Sequence, residues 1–194
     1  MGRPERPRPW PYMNPTLKNR GGANHWSLSE GFPYSRESNR RRNPEMSLAM
    51  NKEERESFLA DLHVGIICIE QAGRAPVAVP VWYEYSPEVG ISVVTDHQSI
   101  KGKCLEAAGR FTLVAQEEAL PYRYVSVEGP ITETRDCNPD EDIQPLALRY
   151  LQDAKRAEEY TEGCRNPAAI AASRVYIMRP EIWKTVDYGK GEAF

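Results

Sequence analysis

The chain has 194 residues, with 25 Lys and Arg against 28 Asp and Glu, and a formal net charge of −3 at pH 7. Its hydrophobic fraction of 40%, including 18 aromatic side chains, is sufficient for the core of one domain. No apolar run approaches the roughly 18 residues of a transmembrane helix, and the start lacks the apolar stretch of a secretory signal. We therefore expect a cytoplasmic protein that does not enter the membrane.

Residues 1–45 differ in composition from the rest of the chain. They hold 7 of the 16 prolines and 9 Lys or Arg against 4 Asp or Glu, a net charge of +5. A Pro-rich segment without periodicity cannot bury enough apolar surface to become ordered. We predict a disordered basic extension at 1–45 and a folded domain at 46–194. The run Arg40, Arg41 and Arg42 leaves nucleic-acid binding open, but a single short run of arginines favours a solvated tail.

The first elements of the domain are a capped helix and two strands. Asn51 followed by Glu54 is the pattern of a capping box. Residues 64–69 are typical of a buried strand, and residues 71–74 of a turn. Residues 77–85 are predicted to form one long strand, in which Pro80 requires a sheet edge or a bulge.

The central stretch, residues 91–129, predicts strand, loop, helix and two antiparallel strands, the last of which continues to Thr134. Alternation over 91–95 indicates a half-buried strand that ends in a polar loop. Lys101 and Lys103 open a short helix that Gly109 ends, and strands follow at 111–115 and 122–134. Hydroxyl groups, ammonium groups and free helix N–H groups thus converge, which favours an anion pocket.

The last third predicts one long helix and a closing pair of strands. Asn138 and Pro139 suit a helix start, and apolar residues from Ile143 to Ala154 have helical spacing over about five turns. A small helical turn at 168–172 and strands at 173–178 and 182–186 complete the sheet.

The cysteine and histidine positions indicate neither disulfides nor a metal. The four cysteines are far apart and form no CxxC, which favours reduced thiols. The three histidines have no metal-ligand spacing, so we expect no metal site.

Two motifs in the central stretch resemble those of the pyridoxamine 5'-phosphate oxidase-like split barrels, which use FMN or the deazaflavin coenzyme F-420. The family's phosphate segment, T-N-x-x-S-R-K, is matched in spacing by Thr95, Asp96, Ser99, Ile100 and Lys101. Its later strand, R-Q-V-x-V-x-G, is matched by Arg123, Tyr124, Val125, Val127 and Gly129. The K-x-K of the deazaflavin branch corresponds to Lys101 and Lys103. The resemblance spans residues 50–188.

The resemblance implies a mainly β (α+β) fold, a six-stranded antiparallel split β-barrel with flanking helices. It implies a homodimer with two cofactor sites at the interface. The implied phosphate anchor consists of Thr95, Ser99, Lys101 and Lys103. The implied ring-facing strand is Val79, Pro80, Val81 and Trp82, with Tyr124 on the cofactor side. No catalytic residue is implied.

Departures from the family pattern favour F-420 over FMN. Ile100 stands where FMN-using oxidases have an Arg, and residues 79–82 lack the basic residues of that family strand. A phosphate monoester carries nearly two negative charges near neutral pH, whereas the F-420 phosphodiester carries one. Two lysines suit the single charge better, although FMN stays open.

The expected function is hydride transfer between F-420 or FMN and an unidentified small organic substrate. Oxidation of pyridoxamine phosphate itself is not indicated, since no motif in the sequence marks a second site for the phosphate of that substrate. The alternative is a non-catalytic protein that binds or stores a flavin, F-420 or haem. The third and least favoured hypothesis is a nucleic-acid-associated protein, in which the Arg-rich extension binds and the flavin pocket is vestigial.

Overall fold

Residues 47–191 are described by a computed structural model and form eight strands and five helices. The strands are Gly65–Ile69 (β1), Val77–Val81 (β2), Glu84–Ser86 (β3), Gly90–Asp96 (β4), Arg110–Glu117 (β5), Arg123–Asp136 (β6), Ser173–Met178 (β7) and Ile182–Asp187 (β8). The helices are Lys52–Ala60 (α1), Ile100–Ala108 (α2), Gln144–Leu151 (α3), Ala154–Cys164 (α4) and Pro167–Ala172 (α5). The predicted extension at 1–45, with its three consecutive arginines, lies outside the described residues.

All strand pairs of the described sheet are antiparallel, in the order β2-β1-β5-β6-β7-β4-β3, with β8 paired to β6. The 14-residue β6 pairs with β5 and β8 along its first part and with β7 along its second. A register shift between Ile131 and Glu133 accompanies the change of partner. The sheet curls into the mainly antiparallel barrel that the sequence predicts.

The predicted count of six strands is wrong, because the structure has eight. The segment 77–85, predicted as one long strand, accounts for part of the difference. That segment forms two strands, β2 and β3, which lie at the two ends of the strand order. Trp82 and Tyr83 connect them and belong to neither. Among the described strands, β2 pairs with β1 alone, so Pro80 lies in an edge strand, as predicted.

The core lies between the inner face of the sheet and helices α1 and α2. Its most deeply buried side chains include Leu59, Ile67, Tyr83, Ile91, Leu105, Leu113, Val125, Val127, Tyr176 and Met178. The predicted capping box is confirmed at α1, where the Asn51 side chain accepts a hydrogen bond from the Glu54 N–H at 2.9 Å. Gly109 ends α2 at a φ of +61°, a conformation that glycine adopts without strain.

The prediction of one five-turn helix is wrong, because this segment forms three separate helical pieces. A π-helical turn at Pro139–Ile143 precedes α3, which ends at Leu151. Gln152 then adopts a φ of +51°, and the Asp153 side chain caps α4. Lys155 and Arg156 therefore lie in the first turn of α4, a helix that was not predicted.

Three further observations concern the described residues. None of the helices within 47–191 is both long and apolar enough to cross a membrane. The four cysteines, Cys68, Cys104, Cys137 and Cys164, are free thiols. Within the same range, no three His, Cys, Asp or Glu side chains are grouped so that they would hold a metal ion.

Candidate functional site

A cavity of about 330 Å³ lies where β2, β4 and β7 meet helices α2, α3 and α4. Its lining residues are Pro80, Val81, Trp82, Val94, Thr95, Lys101, Ile143, Leu146, Tyr160, Cys164 and Ser173. Five of the residues that the sequence predicts for a cofactor site are therefore brought together. They are Pro80, Val81, Trp82, Thr95 and Lys101.

Lys101 is the single Lys, Arg, Asp or Glu among these lining residues. Its side chain is half-buried, and burial lowers the pKa of its ammonium group from the ordinary lysine value. Within residues 47–191, no carboxylate forms an ion pair with it. A partly desolvated cation without a counter-charge favours an anionic ligand.

The first turn of α2 holds Lys101 at the cavity. The Ser99 hydroxyl caps the helix by accepting the Gly102 N–H at 3.0 Å, and it donates to the Asp96 carbonyl oxygen at 2.6 Å. Gly102 is buried against the preceding loop, since a Cβ there would lie only 2.5 Å from the Cα of His97. The glycine between the two lysines thus permits a close approach that a larger residue would prevent.

Two aromatic side chains, Trp82 and Tyr160, line the cavity and form its aromatic wall, and Trp82 is stacked on a third, Tyr150, which does not line it. The Trp82 indole stacks on the Tyr150 ring with a centroid distance of 5.0 Å and an interplanar angle of 2°. Tyr160 packs against Trp82 at 5.3 Å and an angle of 46°. Burial raises the pKa of the Tyr160 phenol, which therefore stays protonated near neutral pH.

Several lining residues were not predicted from the sequence. Tyr160 and Cys164 lie on α4, which was missed because the helical pattern at 143–154 was extended through its break. Ile143 and Leu146 were predicted as apolar helix positions that cover the barrel, and their apolar spacing carries no signal for a cavity. Ser173 opens the predicted strand β7 without any motif.

The remaining predicted site residues lie elsewhere in the chain. Val79 is half-buried and packs against the core, and Lys103 is exposed on α2. Ser99 is engaged in the helix cap described above. Tyr124 lies on β6 beside a second cavity of about 260 Å³, which Gln116, Glu117, Glu118, Tyr122 and Arg123 also line. Their cofactor roles stay predictions.

Comparison with known proteins shows the fold. No family model and no curated protein sequence matches the chain. Among solved structures, an F-420 reductase is similar at 17% identity and a TM-score of 0.55, over 66% of this chain and 94% of its own. A conserved hypothetical protein from Mycobacterium tuberculosis is similar at 15% identity and a TM-score of 0.57, over 74% and 88% of the two chains.

A third solved structure, general stress protein 26 from Bacillus anthracis, is similar at 15% identity and a TM-score of 0.50, over 69% of this chain and 92% of its own. These identities are low, and they establish the architecture alone. The chain shares the fold of these structures, a curled antiparallel sheet with flanking helices, which is the split barrel that the sequence predicts.

Proposed function

We propose that this protein is an oxidoreductase that binds a deazaflavin or flavin, with F-420 favoured over FMN. The observation that carries the proposal is Lys101, a partly desolvated cation that forms no ion pair within residues 47–191. The cavity is otherwise lined by apolar, aromatic and uncharged polar side chains. The description of one similar structure as an F-420 reductase agrees with it.

The charge of the cavity supports a ligand whose phosphate group carries one negative charge. Lys101 supplies one positive charge, and the nearby hydroxyls of Thr95 and Ser173 supply neutral donors. A phosphodiester carries one negative charge, which one ammonium group balances. A phosphate monoester carries about 1.5 to 2 negative charges near neutral pH. FMN would therefore leave negative charge uncompensated in a partly desolvated site.

The cavity residues have separable tasks in this proposal. Lys101 would hold the phosphate, and the edge strand β2 with Trp82 would pack against the ring system. When bound, the cofactor supplies hydride chemistry that no protein side chain provides. The apolar side chains of Ile143 and Leu146 would exclude water from the ring. The Tyr160 hydroxyl is a protonated group at the cavity that can donate a hydrogen bond to a substrate.

Fluorescence titrations with F-420 and with FMN, performed on the full chain, test the proposal. We expect F-420 to bind more tightly than FMN. We expect Lys101→Ala to weaken F-420 binding at least about tenfold, because a charge-assisted hydrogen bond contributes about 1.5–3 kcal/mol. Lys103→Ala is the matched control, since Lys103 is exposed and does not line the cavity.

Equal affinities of the wild-type protein and Lys101→Ala would remove Lys101 from the site. An equal loss in both lysine variants would return Lys103 to the phosphate anchor that the K-x-K motif implies. If the wild-type protein binds neither cofactor, the functional proposal fails while the fold stands.

A non-catalytic binder is the alternative that the cavity also supports. No Asp, Glu or His is among its described lining residues, so a conventional carboxylate or imidazole proton donor is missing from that surface. Oxidation of reduced F-420 by a panel of organic acceptors distinguishes the two functions. Sustained turnover supports the enzyme, and stoichiometric binding without turnover supports storage.

The outer face of the sheet supports the proposed homodimer. Ile66 on β1 is 37% exposed and lies opposite Pro80 on β2 and Val114 on β5, so an apolar surface crosses three strands. By strand alternation, Tyr124 on β6 lies on the same face. We propose that a second copy packs here, and that Tyr124 reaches the cofactor site across the interface. Ile66→Glu should shift the mass measured by light scattering from dimer to monomer.

A further inference from the structure

The strongest unassigned feature near the cavity is Tyr150, on the last turn of α3. Its hydroxyl oxygen lies 2.8 Å from the carbonyl oxygen of His63 and 3.1 Å from that of Tyr83. It also accepts the backbone N–H of Tyr83 at 3.1 Å. One side chain thus connects α3 to the segment after α1 and to the break between β2 and β3.

The hydrogen bonds of Tyr150 replace those that the broken strand lacks. β2 ends at Val81 and β3 begins at Glu84, so the backbone groups of Tyr83 have no ladder partner there. A buried backbone N–H without a partner is costly, and the Tyr150 hydroxyl supplies the partner. Burial also raises the pKa of Tyr150, which keeps the hydroxyl protonated and able to donate.

The ring of Tyr150 packs against Trp82, the residue that precedes Tyr83. It covers one face of the Trp82 indole in a nearly parallel stack, and Trp82 lines the cavity. The preceding residue, Arg149, donates to the carbonyl oxygens of Ala60 and Asp61 at 2.9 and 2.5 Å. The end of α3 is therefore anchored to α1, which limits the movement of the Tyr150 ring.

We propose that Tyr150 is the positioning residue of the aromatic wall: its hydroxyl fixes the Trp82–Tyr83 backbone, and its ring fixes the Trp82 indole against which the ligand packs. The ligand part of this inference rests on the proposed function. The positional part concerns the unliganded protein. A preformed wall improves affinity because less side-chain freedom is lost on binding.

Near-UV circular dichroism of the unliganded full chain tests the positional part. Tyr150→Leu removes both the stack and the hydroxyl, Tyr150→Phe removes the hydroxyl alone, and Trp82→Phe identifies the signal that comes from Trp82. We expect Tyr150→Leu to lose the Trp82 signal and Tyr150→Phe to retain most of it. Leu148→Ala, at an exposed position of the same helix, is the control for general loosening of α3 and should match the wild-type protein.

Titration of the same variants with F-420 tests the ligand part. We expect about tenfold weaker binding in Tyr150→Leu and a smaller loss in Tyr150→Phe, because the stack persists there. Far-UV circular dichroism identifies any variant that does not fold. If Tyr150→Leu does not fold, the milder Tyr150→Phe variant decides whether Tyr150 contributes to ligand binding. An unchanged Trp82 signal together with unchanged affinity in Tyr150→Leu would overturn the inference.

Failure of the proposed function gives a different result. If the wild-type protein binds neither F-420 nor FMN, the proposed function falls, and loss of the Trp82 signal in Tyr150→Leu still supports the positioning role. If the wild-type protein binds F-420 and Tyr150→Leu binds it equally well with its Trp82 signal lost, Tyr150 positions Trp82 but the ligand part is overturned.

Discussion

Substitution of Gly102 by Ala should destabilise the protein although it replaces glycine in a helix. The added Cβ would lie 2.5 Å from the Cα of His97 and 2.7 Å from its carbonyl carbon, and closer still to the Asp96 carbonyl oxygen. These neighbours are backbone atoms, so the start of α2 would have to move by roughly 1 Å to restore ordinary contact. Overpacking of this kind costs about 1–3 kcal/mol.

The higher helix propensity of alanine offsets part of that cost, but its contribution to stability is smaller. Alanine is favoured over glycine in a helix interior by about 1 kcal/mol. Because all three contacts are with backbone atoms, the overpacking cost should lie in the upper part of its range, about 2–3 kcal/mol. After the propensity gain of about 1 kcal/mol is subtracted, the net expectation for Gly102→Ala is a loss of about 1–2 kcal/mol in the free energy of unfolding. Because Lys101 precedes Gly102 and moves with the helix start, F-420 binding should weaken as well.

Gly163→Ala is the matched control, because the same substitution in α4 adds a Cβ with no heavy atom within 4 Å. There the propensity term acts alone, and stability should rise by about 0.5–1 kcal/mol. Urea unfolding followed by circular dichroism measures both changes from the transition midpoints at a common slope. If Gly102→Ala is as stable as the wild-type protein, the close approach of α2 to the loop does not constrain the site.

Two further predictions concern stability. Burial lowers the pKa of His63, which stacks on Phe58 at 4.2 Å, below the value of about 6.5 in the unfolded chain. Below that pH the unfolded state binds the proton more readily, so stability should fall from pH 7 to pH 5, and His63→Phe should flatten this dependence in urea titrations. Asp142 is buried and accepts hydrogen bonds from Arg135 at 2.6 and 2.8 Å and from the Asn138 N–H at 2.8 Å. Asp142→Ala should cost about 2–4 kcal/mol by the same assay, and a loss below 1 kcal/mol would show that the arginine finds another partner.

Local interactions explain why much of the fold could be predicted. The Asn51 capping box and the left-handed Gly109 each depend on residues within one helical turn. The antiparallel strands after α2 follow from residue types and a short connection. Lys101 was predicted on the same basis, since a lysine at a helix start after a polar loop is a local pattern, and the structure places it in the cavity.

Long-range contacts explain what could not be predicted. The apolar spacing at 143–154 continues through Gln152, and the spacing itself contains no mark of the break. Similarly, residues 77–85 have strand character throughout, yet the chain leaves one edge of the barrel after Val81 and joins the other at Glu84. The connection from one edge strand to the other depends on how the whole sheet curls, which no local pattern records.

The sequence by itself determined the split-barrel class, the capped start of α2 and the lysine that makes the anion pocket plausible, because helix caps, strand periodicity and charge act over a few residues. Only the tertiary structure decided which side chains share the cavity with that lysine and what holds them in place. Trp82 and Tyr150 are 68 positions apart, and their stacking depends on α3 packing across the broken strand. Free energy gained by such distant contacts appears only after the chain has folded, so no local pattern records it.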